Sequence, residues 1–262
     1  MAFNSVLPVS SIRDLTVLGI DQERVLLVAC DSVGSIGPKP HDRVEAAATT
    51  VAHFAARVPL LEVLAAGGRP EVLVDTLSVE MNPTGAEMIA EIRRMAVSLG
   101  LEPERVTGST EDNVQSLATG IGVTVIGSAA RSALRPGTSR PGDLVLCLGA
   151  PTSAPHDDIV MDDRRMVSIQ TLTDVLGVPG VHDALPIGSR GIGYEVQQLE
   201  TSSDLEFVRA CDLPEDPRFD FAKSGGPASC VLISLDVSAL DAVLVVLPEP
   251  LPRANLGSLT CR

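Results

Sequence analysis

Two aspartates stand where apolar runs would carry them out of water. Asp31 follows the run Arg24-Val25-Leu26-Leu27-Val28-Ala29-Cys30, and Asp75 interrupts Leu73-Val74-Asp75-Thr76-Leu77. A carboxylate at the end of a buried strand, or inside one, is costly unless it is paired, hydrogen-bonded or metal-bound. Asp31 opens a Gly- and Pro-containing loop that runs to Asp42. Hard oxygen ligands beside such a loop suit Mg²⁺ bridging the phosphates of a nucleotide. The alternative for Asp75 is a structural acid held by backbone amides or an arginine.

Other chemistries lack their motifs. The chain has no phosphate-binding P-loop and no G-x-G-x-x-G after a strand. It also has no G-x-S-x-G elbow and no H-E-x-x-H helix. His53 lies in an Ala-rich helical stretch and reads as a packed residue. His156-Asp157-Asp158 could gather a metal, but reads more simply as a solvated loop. The five cysteines form no C-x-x-C pair. Cys30, Cys147 and Cys230 sit in apolar runs as small hydrophobes, which argues for a reducing compartment and against a thiolate zinc site.

The elements that must position these residues follow from periodicity. Residues 24–30 predict a buried strand ending at Asp31, and residues 71–80 predict a second strand. Between them, 44–66 predicts a helix kinked or split at Pro59. Met88, Ile92, Met95 and Leu99 predict an amphipathic helix over 86–99, stopped by Gly100. IGVTVIGSA, DLVLCLGAP, CVLISLD and AVLVVLP read as further strands. Residues 151–229 are polar and give no clear assignment, and the last dozen residues read as a loose tail. Strands and helices do not strictly alternate, so the pattern favours α+β over a doubly wound sheet.

Composition narrows the function. The 262 residues carry a net charge of −14, with 45% apolar and only 2% aromatic residues. The core must be aliphatic. Binding to nucleic acid is disfavoured, because neutralising phosphates needs a basic surface. No secretory leader is read at the N-terminus, and no run is judged to approach the roughly 18 apolar residues of a membrane span. The expectation is a cytoplasmic protein with neither a membrane nor a nucleic-acid partner.

Several segments, in order, resemble the superfamily of aminoimidazole ribonucleotide synthetase, thiamine-monophosphate kinase and selenophosphate synthetase. Ile12-Arg13-Asp14-Leu15-Thr16 stands where the thiamine-monophosphate kinases have a Gly-Asp-Asp-Ala motif, and Cys30-Asp31-Ser32-Val33-Gly34 resembles the superfamily's strand-end DGVG. Leu61 to Pro70 resembles its helix-end motif, with Glu62 at the usual aspartate. Thr107-Gly108-Ser109-Thr110-Glu111-Asp112 resembles GG(E/D/H)T, and Gly142-Asp143-Leu144 resembles the opening of its second domain. Within the superfamily, CDSVGSIGPKPHD, LVDTLSVEMNPTG, HDALPIGSRGIGYE and KSGGPASC most resemble the α-ribazole kinases.

The resemblance implies a two-domain α+β fold. An ATP- and Mg²⁺-binding domain spans residues 1–140, and an α/β domain spans 141–262. It also implies a homodimer whose N-terminal sheets form a shared barrel, and a small-molecule nucleoside substrate. Asp14, Asp31, Glu62 and Asp75 become the implied Mg²⁺ ligands, with Asp31 and Asp75 catalytic. Asp14, Asp31, Gly34, Lys39, Glu62, Gly108, Thr110 and Asp112 become the implied ATP contacts. Arg57 is a further phosphate candidate. Ser189-Arg190-Gly191 and Gly225-Gly226-Pro227 are candidate acceptor loops. Three positions depart from the pattern: Arg13 replaces the first acid of the pair, Glu62 reaches farther than aspartate, and Ser109 replaces an acidic residue or histidine.

Overall fold

A computed structural model describes residues 7–211 and 216–262. The chain divides into two compact units. The first comprises residues up to Val63 together with Gly67–Leu134, and the second comprises Leu64–Ala66 and Arg135–Arg262.

The first unit is built on a six-stranded sheet. Its strands are β1 (Val9–Ile12), β2 (Leu15–Gly19), β3 (Arg24–Gly34), β6 (Arg69–Leu77), β7 (Val106–Ser109) and β8 (Gly120–Ala130). They lie in the order β1-β2-β3-β8-β6-β7. All neighbours are antiparallel except β6 and β7, which run parallel. A short parallel pair, β4 (Ile36–Gly37) and β5 (Val44–Glu45), shapes the loop after β3. Helix α1 (Ala48–Ala65) precedes β6, and α2 (Ala86–Ser98) follows it.

Period-two alternation sorts the sheet into two faces. Val25, Leu27, Ala29, Leu73, Val123 and Val125 are buried on one face. α1 covers that face, since a Cβ at Gly127 would meet Val63 Cγ1 at 2.5 Å. Leu26, Val28, Val72, Val74, Thr124 and Ile126 lie half-buried on the other.

The second unit carries a five-stranded antiparallel sheet in the order β10-β12-β9-β13-β11. Its strands are β9 (Leu144–Leu148), β10 (Val181–Pro186), β11 (Leu205–Arg209), β12 (Val231–Leu235) and β13 (Arg253–Cys261). Its helices are α3 (Ile169–Leu176), α4 (Gly191–Ser203) and α5 (Leu240–Val246). On α4, Ile192, Val196 and Leu199 fall at helical spacing and join Val145, Cys147, Leu232 and Leu259 in one core cluster. Every residue of β12 is buried, which explains why VLISL is continuously apolar.

The structure corrects five expectations. The first concerns β3, which does not stop at Asp31 but stays paired with β8 as far as Gly34↔Gly120, so Asp31 lies inside a strand. In the second case, of the kink or split expected at Pro59, the split is excluded, because α1 runs through Pro59 as one helix. The third is AVLVVLP, which contributes to α5 and not to a strand. Val243 and Leu247 are buried while Leu244 and Val245 are exposed, a helical spacing that a run of branched residues had hidden. Asp236 accepts the Ser238 N–H at 3.0 Å in the turn leading into that helix. The fourth is the supposed tail, which is β13, an interior strand hydrogen-bonded between β9 and β11. Finally, α1 is long and apolar enough to cross a membrane by length and composition, contrary to the reading that no run approaches this. It is 67% buried, as befits a core helix. Among the apolar-run cysteines, Cys147 and Cys230 are buried, whereas Cys30 is exposed on the half-buried face of β3.

Deleting residues 253–262 removes the strand that joins β9 to β11. The truncated chain is expected to lose cooperative unfolding of the second unit, seen as a missing transition by circular dichroism or calorimetry. A truncated chain that melts like the full-length protein would contradict the assigned strand order.

Candidate functional site

Strand register sets the two aspartates in one row. Asp31 of β3 pairs with Val123 of β8, and Asp75 of β6 pairs with the same Val123 from the other side. Directly opposed residues share a face, so both carboxylates point to the helix-covered side, about 10 Å apart at Cα across two strand spacings. The row continues through Gly108 of β7, which pairs with Asp75. The Thr16↔Val28 pairing, continued along the strands, brings the Arg13-Asp14 turn level with Cys30-Asp31. β3, β6 and β7 run in the same direction, so their carboxyl ends open onto one edge just beyond this row.

Burial sets the electrostatics of the row. Asp75 is 2% exposed. Burial pushes its carboxyl up to about 6 against the opposing pull of the Arg93 charge. Burial also pushes Asp31 up, opposed by a backbone hydrogen bond from Ser32. No ion pair among the described residues contains either acid. Gly108 explains part of the enclosure, since a Cβ there would fall on the Asp75 carbonyl and carboxylate oxygens. A glycine is therefore required beside that acid.

A second set of side chains lies beyond the strand ends. Lys39 pairs with Glu80, whose other carboxylate oxygen accepts the Thr84 hydroxyl at 2.7 Å. Although partial burial pushes Glu80 up, the Lys39 ammonium and Thr84 hydroxyl hold it down to about 2. Asp42 accepts the Lys39 N–H at 2.8 Å and the Thr119 N–H and hydroxyl at 2.7 and 2.6 Å. Asp112 accepts the Met81 N–H at 3.0 Å and the Thr110 hydroxyl at 2.7 Å. Both bonds hold its carboxyl below the usual range. A cavity of about 400 Å³ adjoins these turns, lined by Thr76, Ser78, Ser109, Thr110 and Glu111 among others.

The other candidates fall elsewhere. Asp14 is exposed in the β1–β2 turn, and Gly34 ends β3 with open space where a Cβ would lie. Glu62 stands on α1 beside Val63, which packs over Gly127 and Gly68. Gly127 pairs with Leu27, four residues along β3 from Asp31, or about 13 Å. Among the described residues, no three His, Cys, Asp or Glu side chains gather in a way that could hold a metal. The expected four-carboxylate set is thus not assembled. Glu62 is anchored by its helix near the far end of the row's strands. What remains is the Asp31–Asp75 pair. Its hard oxygens fit a cation that takes one or two carboxylates and completes its shell with phosphate and water oxygens, as Mg²⁺ does.

Arg57 is 5% exposed on α1. His53 is a packed residue. Its Nδ1 lies 2.9 Å from Glu91 Oε1, bridging α1 to α2, and burial lowers its pKa. Asp157 of the His156 loop pairs with Lys223 at 2.9 Å, consistent with a structural loop.

In the second unit, the two candidate acceptor loops pack together. The Gly225 N–H donates to the Gly188 carbonyl at 3.0 Å, and a Cβ at Gly191 would meet the Lys223 and Phe221 carbonyls at 2.7 Å. The cations nearby are engaged: Arg190 stacks on Tyr194 at 4.5 Å, and Arg209 on Phe221 at 4.5 Å.

Sequence reasoning missed Glu80, Thr84, Asp42 and Thr119. They sit in turns whose partners are distant in sequence, and only the Gly-Pro punctuation around them hinted at a built loop.

This geometry has counterparts among solved structures. Thermotoga maritima PurL complexed with ADP superposes with a TM-score of 0.68 at 18% identity, over 98% of this chain and 43% of that one. The fold is the one the superfamily resemblance implied. Stenotrophomonas maltophilia thiamine-monophosphate kinase shares it, with a TM-score of 0.65 at 17% identity, over 99% of this chain and 90% of that one. So does AaThiL complexed with AMPPCP and TMP, at 0.65 and 15%, over 97% and 87%. The chain therefore spans less than half of PurL and nearly all of the kinase. No protein-family model and no curated protein sequence matches it.

The raised Asp75 pKa has a definite sign. Its folded value, about 6, exceeds the ordinary 3.8. Its contribution to stability is therefore full below about pH 4 and is lost as pH rises through 6, by about 3 kcal/mol. Asp75→Asn should remove that slope and melt above the wild-type protein at pH 7.5 without ligand. Parallel stability curves for the two proteins between pH 4 and 7 would contradict the assigned environment.

Proposed function

We propose that the chain is an ATP-dependent phosphotransferase that binds Mg·ATP at the carboxyl ends of β3, β6 and β7. Its acceptor is the 5′-hydroxyl of α-ribazole, and its products are ADP and α-ribazole 5′-phosphate. The observation that carries the reading is the Asp31–Val123–Asp75 row, which faces Gly108, below an edge where Lys39 and the Asp112 turn converge. Supporting it is a fold shared with structures complexed with ADP and AMPPCP.

Asp31 and Asp75 would hold Mg²⁺, and Asp14 lies level with them at the turn. Bound there, the ion supplies the positive charge that phosphoryl transfer needs between phosphate oxygens. Lys39 contacts the phosphates as a point charge. Gly34, Gly108 and the Thr110–Asp112 turn line the approach. In the transfer, the ribose oxygen forms a bond to the γ-phosphorus and the bond to the bridging β-phosphate oxygen breaks. The hydroxyl proton leaves to solvent or to a carboxylate. The choice of acceptor draws on the likeness of CDSVGSIGPKPHD, LVDTLSVEMNPTG, HDALPIGSRGIGYE and KSGGPASC to the α-ribazole kinases.

ADP formation should be followed with α-ribazole, thiamine monophosphate and formylglycinamidine ribonucleotide in parallel. Turnover is expected with α-ribazole. Turnover only with a phosphorylated substrate would overturn the acceptor while leaving nucleotide use intact. Asp31→Asn should lower kcat at least a hundredfold with an unchanged circular dichroism spectrum, because Asn keeps the shape and loses the charge.

The half-buried face bearing Leu26, Val28, Val74 and Ile126 supports a homodimer joined through these sheets. Such an obligate pair buries on the order of 2,000 Å² or more. Light scattering should give twice the mass of the chain at micromolar protein; a monomer would count against it.

A further inference from the structure

Only two of the chain's 20 basic residues are lysines, Lys39 and Lys223. Lys223 pairs with Asp157 in the second unit. Arginine makes the local surface ion pairs Arg24–Asp21, Arg165–Asp163, Arg218–Asp216 and Arg253–Glu249, each within one turn, and the longer-range pair Arg105–Glu71. A guanidinium forks onto a carboxylate and suits a structural tie. An ammonium is a compact charge with three donors that can be shared among ligands.

Lys39 is held with unusual completeness for a loop residue. Prolines flank it at 38 and 40 and restrict the backbone on both sides. Its N–H is bound by Asp42, which also fixes Thr119. The loop is tied again by Ser35 N–H to the Thr119 carbonyl at 2.9 Å and by His41 N–H to the Leu117 carbonyl at 2.9 Å. The side chain is only 15% exposed and ends on Glu80, which is 29% exposed. Glu80 is fixed in turn by Thr84, a hydroxyl 5% exposed. The Glu80–Thr84 turn itself packs on the phosphate-side turn, because a Cβ at Gly85 would meet Thr110 Cγ2 at 3.0 Å. With one donor on Glu80, the ammonium has two left to direct at a ligand.

We propose that Glu80 is a positioning residue that aims the Lys39 ammonium at the polyphosphate of the bound nucleotide, with Thr84 fixing the carboxylate that does so. The device is the one a protein kinase achieves with a lysine–glutamate pair on unrelated elements. The proposal rests on the nucleotide-binding reading given above. It adds that Glu80 acts only through Lys39, although its own negative charge opposes a phosphate.

The test uses the full chain and needs no acceptor. Mg·ATP and adenosine are titrated by calorimetry against the wild type, Lys39→Met, Glu80→Gln and the double variant, below the melting temperature of each. Glu80→Gln is expected to weaken Mg·ATP about tenfold and to leave adenosine within twofold. Lys39→Met should do at least as much, and the double variant should be no worse than Lys39→Met alone, since the two residues act as a unit. Thr84→Val, which removes only the hydroxyl, should give a smaller loss in the same direction and carries the test if Glu80→Gln does not fold. The proposal is overturned if Mg·ATP binding is unchanged or tighter in Glu80→Gln, if the two losses add, or if adenosine weakens in parallel, as it would for a purely structural clamp. A wild-type chain that binds adenosine but not Mg·ATP overturns it as well. A wild-type chain that binds neither ligand refutes the nucleotide reading itself.

Discussion

The burial of a carboxylate in the middle of a sheet is the constraint on which the first unit turns. Asp75 occupies a position that β6 would otherwise give to an aliphatic residue, between Leu73 and Leu77 on the core side. Ionising it there is unfavourable, and its raised pKa records that cost. The surroundings do not relieve the cost with an ion pair. They tighten around it, with Gly108 pressed onto its oxygens and Val123 beside it. A site that holds an acid in this state is less stable alone at neutral pH than it could be. Such local conflict is characteristic of functional positions.

Strand direction converts that local conflict into a site. Because β3 and β6 both pair antiparallel with β8, they run parallel to each other, and the shared partner Val123 sets Asp31 and Asp75 at the same height. β7 adds Gly108 at that height by pairing parallel to β6. The loops that follow these strands must emerge at one edge. There the Asp42, Glu80 and Asp112 carboxylates each accept at least two hydrogen bonds that tie the turns together. The edge is thus acidic overall but rigid, with Lys39 presented from a loop tied at both ends.

Much of this was legible in the residues alone. An aspartate inside Leu-Val-Asp-Thr-Leu states its own cost, and the helical spacing of Met88, Ile92 and Met95 states a buried face. Those signals are local, because period and burial are properties of a few consecutive residues. The same locality misled the reading of AVLVVLP, whose branched side chains fit both periods until the packing of Val243 and Leu247 chose the helix. It also hid β13, because Arg253–Cys261 mixes polar and apolar residues and gains its place from partners distant in sequence, in β9 and β11.

The sequence by itself determined that Asp75 is a buried acid, that the core is aliphatic, and that the chain mixes strands and helices; it did not show that Glu91, Asp143, Asp183 and Glu195 are buried as well. Tertiary structure alone decided which acids share a row of the sheet. Glu62 and Asp31 look equivalent as motif residues, yet one is carried by a helix packed at Leu27 and Gly127 and the other by a strand at Val123. Glu80, silent in the sequence, reaches Lys39 across 41 residues. Register and helix docking are sums over many weak, non-local contacts. No short window of residues contains them, so the identity of a site can be read early while its membership waits for the fold.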